Sequence, residues 1–314
     1  MLVIVAPGQG AQTPGFLSAW LEDPAFAARI GWLSAVSGLD LAHYGTEADG
    51  DTIRDTKIAQ PLLVAAALAT AQQLGPQPAA AVAGHSVGEF GAAVAAGVLS
   101  PEQAMVLVRE RGQAMADAAA VTPTGMTASL GGDRDEVLAA IEAHGLTPAN
   151  DNGPGQIVAA GTLEQLAAFA ENPPKGARLR PLAVAGAFHS PHMAPAVEHV
   201  AALAGSVDVD DARIPFITNS DGALLTDGAV VLDRIVGQIA RPVRWDLCLD
   251  AMAELGVTGF LELPPAGTLT GIAKRFFRDR GMTVETFALN GPEQLDEARE
   301  FCERHAELAE VVPA

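Results

Sequence analysis

Short apolar runs punctuate this chain, separated by longer stretches in which apolar residues recur at helical spacing. Residues 2–6 and 78–83 are continuous and apolar, which predicts buried strands; 259–263 predicts another, broken by Pro264-Pro265-Ala266-Gly267, and 214–219 a shorter one. Helices are predicted over 56–74, 87–98 (closed near Gly97), 101–119, 195–203, 230–239, 246–255 and 269–278, and an amphipathic, acidic helix from Pro292 onward. The helix at 101 opens with Ser100-Pro101-Glu102, a serine cap followed by proline in the first turn. Strands alternating with helices predict α/β layers.

The texture changes at Thr122-Pro123-Thr124-Gly125. Strand 126–130, helix 133–144, strands 147–150 and 156–160, helix 162–171 and strand 177–184 follow in turn. This β-α-β-β-α-β order is the ferredoxin-like unit. The earlier α/β texture then resumes, so 123–187 reads as a subdomain inserted into a larger domain formed by 1–122 and 188–314.

One stretch carries candidate chemistry. Gly84-His85-Ser86-Val87-Gly88 is a G-x-S-x-G between a predicted strand and a predicted helix, the context a nucleophile elbow requires. A sharp turn there projects the serine hydroxyl at a helix N-terminus, where free N–H groups favour a developing oxyanion. The elbow makes the expected large domain α/β-hydrolase-like, with a parallel sheet. The loop Pro7-Gly8-Gln9-Gly10-Ala11-Gln12 leaves the first strand and suits a second oxyanion donor. Gln60, beside Pro61, is placed either to face a pocket or simply to enter a helix.

A serine nucleophile needs a base. Of seven histidines, His85 adjoins Ser86 and would point away from it; His189 and His192 follow a glycine-containing strand exit, and position favours His189. A metal reading of His189-x-x-His192 lacks a third ligand at suitable spacing. Arg109 and Arg111 stand two apart on one predicted helix, so only one of them turns inward.

Composition narrows the partners. The chain has 314 residues, 49% hydrophobic but only 5% aromatic, and a formal net charge of −19, which argues against nucleic acid or an anionic membrane as a non-specific partner. An acidic partner would need a locally basic docking patch. Two cysteines, Cys248 and Cys302, make no disulfide framework and suggest a reducing compartment. The start Leu2-Val3-Ile4-Val5-Ala6 is too short for a secretory signal, and no apolar run approaches a membrane span, so a cytoplasmic protein is expected.

Taken together, these motifs resemble those of the malonyl-CoA:acyl-carrier-protein transacylases, the discrete acyltransferases of bacterial fatty-acid and polyketide synthesis. The resemblance runs nearly end to end: the Pro7–Gln12 loop, the elbow through Glu89-Phe90, Arg109-Glu110-Arg111-Gly112, Asn152-Gly153-Pro154-Gly155-Gln156, Gly186-Ala187-Phe188-His189-Ser190 and 238–245. One departure is Pro264-Pro265-Ala266-Gly267, where the family usually has Gly-Pro-Gly.

The resemblance implies Ser86 as nucleophile, His189 as base and Gln238 as the residue whose backbone carbonyl orients that histidine. It implies an oxyanion hole from the N–H groups of Gln9 and Val87. Arg111 would bind the malonyl carboxylate, Asn152 would support the site, and Phe188 would exclude an α-methyl group. The implied reaction is ping-pong malonyl transfer from malonyl-CoA to the phosphopantetheine thiol of an acyl carrier protein. It needs no metal or prosthetic group, and a monomer is expected. The elbow alone would also fit a thioesterase of the α/β-hydrolase type. That reading needs an acidic triad member between elbow and histidine, and the carboxylates there, Asp133, Asp135 and Asp151, fall in the insert. A non-catalytic carrier-binding protein is a third reading, at odds with an intact nucleophile and base.

Overall fold

The structure, a computed structural model, describes residues 1–184 and 186–306. In chain order the elements begin β1 (Leu2–Ala6), α1 (Pro24–Ser37), α2 (Leu41–Thr46), α3 (Thr56–Leu74), β2 (Ala81–Gly84), α4 (Gly88–Ala96) and α5 (Pro101–Ala119). The middle third holds β3 (Thr124–Gly131), α6 (Arg134–Ala143), β4 (Thr147–Asp151), β5 (Gln156–Thr162), α7 (Leu163–Glu171) and β6 (Ala177–Pro181). There follow α8 (Ala194–Ala204), β7 (Phe216–Ile217), β8 (Leu224–Leu225), α9 (Gly228–Gly237), β9 (Val243–Arg244) and α10 (Trp245–Glu254). The last are β10 (Gly259–Glu262), α11 (Thr268–Asp279), β11 (Glu285–Ala288) and α12 (Leu295–Ala306). The helix expected from Pro292 corresponds to α12; its continuation past residue 306 lies outside the described residues.

Six strands form the main sheet in the order β11-β10-β1-β2-β7-β8, parallel except for the β7–β8 pair. Alternate residues of its strands serve opposite layers: Leu2, Val82 and Leu261 pack into one core, Val3, Val5, Ala81, Ala83 and Phe260 into the other. Fully buried Phe260 alone is worth roughly 1.5–3 kcal/mol of transfer free energy. Because β1 and β2 pair in register, with Ala6 opposite Gly84, the loop after β1 and the elbow after β2 emerge side by side at the carboxyl edge of the sheet. That edge is where open α/β sheets hold their ligands.

Two contacts make the elbow tight. A Cβ on Gly84 would sit 2.0 Å from the Gly88 carbonyl carbon, and one on Gly88 would sit 2.3 Å from the Ala6 oxygen. Neither position tolerates a side chain. On the flank, Gly112 lets α5 press against α3, where a Cβ would meet the Thr56 oxygen at 2.9 Å. The N-terminus of α11 is fixed by buried Glu262, whose carboxylate accepts from the N–H groups of Gly267, Leu269 and Thr270 at 2.8–3.0 Å.

The second sheet runs β6-β3-β5-β4-β9. Its first four strands follow the ferredoxin-like order and are antiparallel, while β9 pairs parallel with β4, Asn150 opposite Val243 and Asp151 opposite Arg244. The sheet thus takes its fifth strand from residues well beyond 187, which covers the β4 edge that would otherwise be open to pairing.

Some expected bounds change. The strand expected over 177–184 stops at Pro181, and that expected over 214–219 contracts to Phe216–Ile217. The helix expected over 230–239 starts at Gly228, capped by Asp227, and tightens into a 3-10 turn over Gln238–Ala240. Among the described residues no helix is long and apolar enough to cross a membrane.

Candidate active site

Ser86 and His189 meet although 103 residues separate them. Ser86 Oγ lies 2.7 Å from His189 Nε2, and His189 Nδ1 lies 2.8 Å from the backbone oxygen of Gln238. A carbonyl oxygen can only accept, so Nδ1 carries the proton and Nε2 is left to accept the serine proton. Burial, reinforced by the positive charge of Arg111, holds the His189 pKa down to about 3, so the resting imidazole is neutral. Both residues have left-handed backbones, φ 54° at Ser86 and 57° at His189, and they are the only non-glycine residues with positive φ among those described. Each such conformation costs on the order of 1–3 kcal/mol.

The elbow is held from below. Ser86 N–H donates to Asn219 Oδ1 at 2.8 Å, and Asn219 Nδ2 donates to the Gly84 oxygen at 2.7 Å. The N–H groups of Val87 and Gln9 have no acceptor among the described residues. The loop bearing Gln9 approaches closely because Gly8 has no side chain: a Cβ there would sit 2.7 Å from the His85 oxygen. Gln12 pins the same loop, accepting from Gly10 N–H at 2.8 Å and donating to the Ile53 oxygen at 2.9 Å.

Arg111 projects from α5 into this site and is only 1% exposed. Its hydrogen-bond partners are all neutral: Gln60 Oε1 at 2.7 Å, Gln238 Oε1 at 3.2 Å and Ser86 Oγ at 3.4 Å. Its Nε has no partner among the described residues. Burial lowers its pKa to about 10 against the pull of Glu89, so it stays charged. Arg109, by contrast, turns outward and pairs with Glu110 at 2.7 Å. The question left open for Gln60 is answered by its bond to Arg111.

Gln9, Gln60, Ser86 and His189 line a cavity of about 230 Å³ that Phe188 and Asn152 also border. Phe188 is buried against Gly186, where a Cβ would come within 3.2 Å of its ring. Asn152 Oδ1 accepts from His85 Nε2 at 2.8 Å, a bond that ties the second sheet to the elbow. His192 is elsewhere, beside Gly145 and Gln165 in a separate depression. Asp133 caps α6, and Asp151 pairs with Arg134 at 2.6 Å. A larger cleft, about 630 Å³, opens behind Gly153–Gly155. Its arginines are engaged by aspartates, Arg134 with Asp151, Arg244 with Asp246 and Arg280 with Asp250.

Sequence reasoning missed Glu89 and Asn219, both buried beneath the elbow. The signal for Glu89 was available: a lone acid in an otherwise Gly-, Ala- and Val-rich helix start. For Asn219 it was a polar residue two places after an apolar strand.

Comparison with known proteins follows the same lines. Residues 3–310 match the acyl transferase domain family model. The chain is 48% identical over 302 residues to the malonyl CoA-acyl carrier protein transacylase of Mycobacterium tuberculosis, covering 95% of this chain and 99% of that one. It is 33% identical over 307 residues to the Escherichia coli K12 protein of that description, covering 95% and 98%. The crystal structure of the Mycobacterium tuberculosis MCAT superimposes with a TM-score of 0.90 at 47% identity, covering 95% and 99%. A malonyl-transacylase solved in complex with its type II acyl-carrier protein gives 0.88 at 30% identity, again covering 95% and 99%. By its motifs, its fold and these matches, the chain belongs to the acyl transferase family, among the malonyl-CoA:acyl carrier protein transacylases.

Proposed function

We propose that the protein moves a malonyl group from malonyl-CoA to the phosphopantetheine thiol of an acyl carrier protein, through an ester on Ser86. One observation carries the residue assignments: a buried guanidinium with neutral partners stands 3.4 Å from a serine oxygen that is itself hydrogen-bonded to a neutral histidine. An ester on Ser86 whose acyl group carries a carboxylate one methylene beyond its carbonyl would bring that carboxylate beside the guanidinium. Arg111 offers it two parallel N–H donors, which lysine could not reproduce.

In the first half-reaction His189 Nε2 takes the Ser86 proton as Oγ attacks the thioester carbonyl. The oxyanion rests on the N–H groups of Gln9 and Val87. Collapse breaks the C–S bond, and CoA leaves as the thiol with the proton from His189. In the second half the carrier's thiol gives its proton to His189 and attacks the ester, and Ser86 recovers that proton as it leaves. The Gln238 carbonyl keeps the imidazole aligned throughout, a neutral acceptor in place of the carboxylate of hydrolytic triads. Asn152 steadies the cavity wall through His85, and Phe188 fills the space beside the malonyl methylene.

We read 123–187 as an inserted unit whose sheet forms the far wall of the cleft, and the chain as a monomer that is cytoplasmic as its proposed substrates are. Incubation with radiolabelled malonyl-CoA tests the function. The expected result is a stable malonyl-protein that discharges to added carrier protein and is absent in Ser86→Ala. Release of free malonate without an adduct would indicate a hydrolase, and an adduct retained on Ser86→Ala would refute the nucleophile.

A further inference from the structure

Glu89 is a fully buried carboxylate that the mechanism above does not use. It sits in the first turn of α4, three residues after the nucleophile. We propose that Glu89 is a positioning residue for acyl selection: it fixes the orientation of the Gln238 side-chain amide, and thereby holds Arg111 toward the acyl carboxylate. This rests on the reading of Arg111 given above.

A primary amide has two ends of nearly the same shape and opposite hydrogen-bonding character. At Gln238 the choice decides whether Arg111 meets an acceptor or a donor. Glu89 accepts from Asn219 N–H at 2.7 Å with one oxygen and from Gln238 Nε2 with the other. Asn219 Oδ1 also accepts from Gln238 Nε2, at 3.0 Å, and its own orientation is set by Ser86 N–H and the Gly84 oxygen. The end of Gln238 facing Glu89 and Asn219 must therefore be its nitrogen. Its oxygen is left for Arg111, 3.2 Å away.

The spacer has an electrostatic use. A guanidinium buried without a counter-charge is costly. A carboxylate touching Arg111 would remove that cost but would occupy the donors that the substrate needs. With one amide between them, an ionised Glu89 offsets the charge of Arg111 and leaves its outer N–H groups unclaimed by any acid.

Burial pushes the Glu89 pKa up to about 8, against the pull of Asn219 N–H, Arg111 and Gln238. The other titratable groups around it are well away from that value: Arg111 on α5 at about 10, His189 at about 3, Cys248 on α10 raised well above its ordinary value and His85 lowered. Protonating Glu89 gives it a donor of its own and loosens its hold on the amide.

The test compares kcat/KM for self-acylation by malonyl-CoA and by acetyl-CoA in wild type, Glu89→Gln, Glu89→Asp and Arg111→Ala, each confirmed as folded by its melting curve. At a pH above about 8, where Glu89 is ionised, the malonyl-to-acetyl preference of Glu89→Gln should fall roughly ten- to a hundredfold below wild type, the scale of a hydrogen bond to a charged group. Glu89→Asp, which keeps the charge, should recover most of it. The wild-type preference should rise with pH through about 8, and that of Glu89→Gln should be flat. If Arg111→Ala loses the preference while folded Glu89→Gln keeps it, this inference is overturned and the reading of Arg111 stands. If Arg111→Ala keeps it, that reading fails and the inference with it. Should Glu89→Gln not fold, a wild-type preference unchanged through about 8 overturns the inference.

Discussion

His189 Nδ1 donates to the main-chain oxygen of Gln238, 2.8 Å away, so the partner that orients the base has no proton to exchange and no side chain to remove. Burial and the nearby Arg111 charge lower the His189 pKa to about 3. The proton that would inactivate the base thus binds only in strong acid. For acetyl-CoA, which does not call on Arg111, kcat/KM for self-acylation should show no inflection near the ordinary imidazole value of about 6.5. A clear acid limb at that value would mean that His189 is solvated or paired with a carboxylate.

Arg111→Ala should cost malonyl transfer roughly 2–5 kcal/mol, the scale for truncating one partner of a buried charge pair. Acetyl transfer should survive or improve, because the charge that depresses His189 has gone. Competition between the two thioesters reads this directly. A preference for malonyl as strong as in wild type would place its carboxylate elsewhere.

Phe188→Ser should open the cavity beside the acyl methylene and admit methylmalonyl-CoA. The gain is about 1–3 kcal/mol, the worth of one methyl in a pocket. Relative kcat/KM for the two acyl-CoAs measures it. No gain would mean that another wall excludes the methyl group.

Carrier docking should follow the exposed basic side chains that no acid among the described residues neutralises. Arg178 and Arg180 stand exposed on the edge strand β6, and Lys274 and Arg275 on α11, whereas Arg244 is committed to Asp246 at 2.7 Å. Charge reversal at Arg178 or Lys274 should raise KM for an acidic carrier and flatten its salt dependence, with self-acylation unaffected. An unaltered salt slope would move the docking face elsewhere.

Much of this arrangement is legible in the chain. The bounds of α3 and α5 follow from apolar spacing and, for α5, from Ser100-Pro101, whose capping box is present. The elbow follows from Gly84 and Gly88, which nothing larger can replace. Patterning leaves 13–55 unassigned because α1 carries large apolar residues on more than one face, Trp32 being 44% exposed. The two-residue strands β7, β8 and β9 are too short for any period to register. Beneath the elbow, Glu89, Asn219 and Gln238 gain meaning only when segments 130 and 149 residues apart come into hydrogen-bond contact. Motif spacing, read locally, has no view of that layer.

The positive φ at Ser86 and His189 carries a consequence for anyone who would engineer this chain for heat resistance. Glycine adopts that backbone freely, so Ser86→Gly should melt later than Ser86→Ala, by up to the 1–3 kcal/mol of strain relieved. A library screened on melting temperature alone would therefore drift toward inert sequences, discarding first the two side chains that react. Durability and turnover have to be selected together here, because the backbone is least comfortable where the chemistry happens.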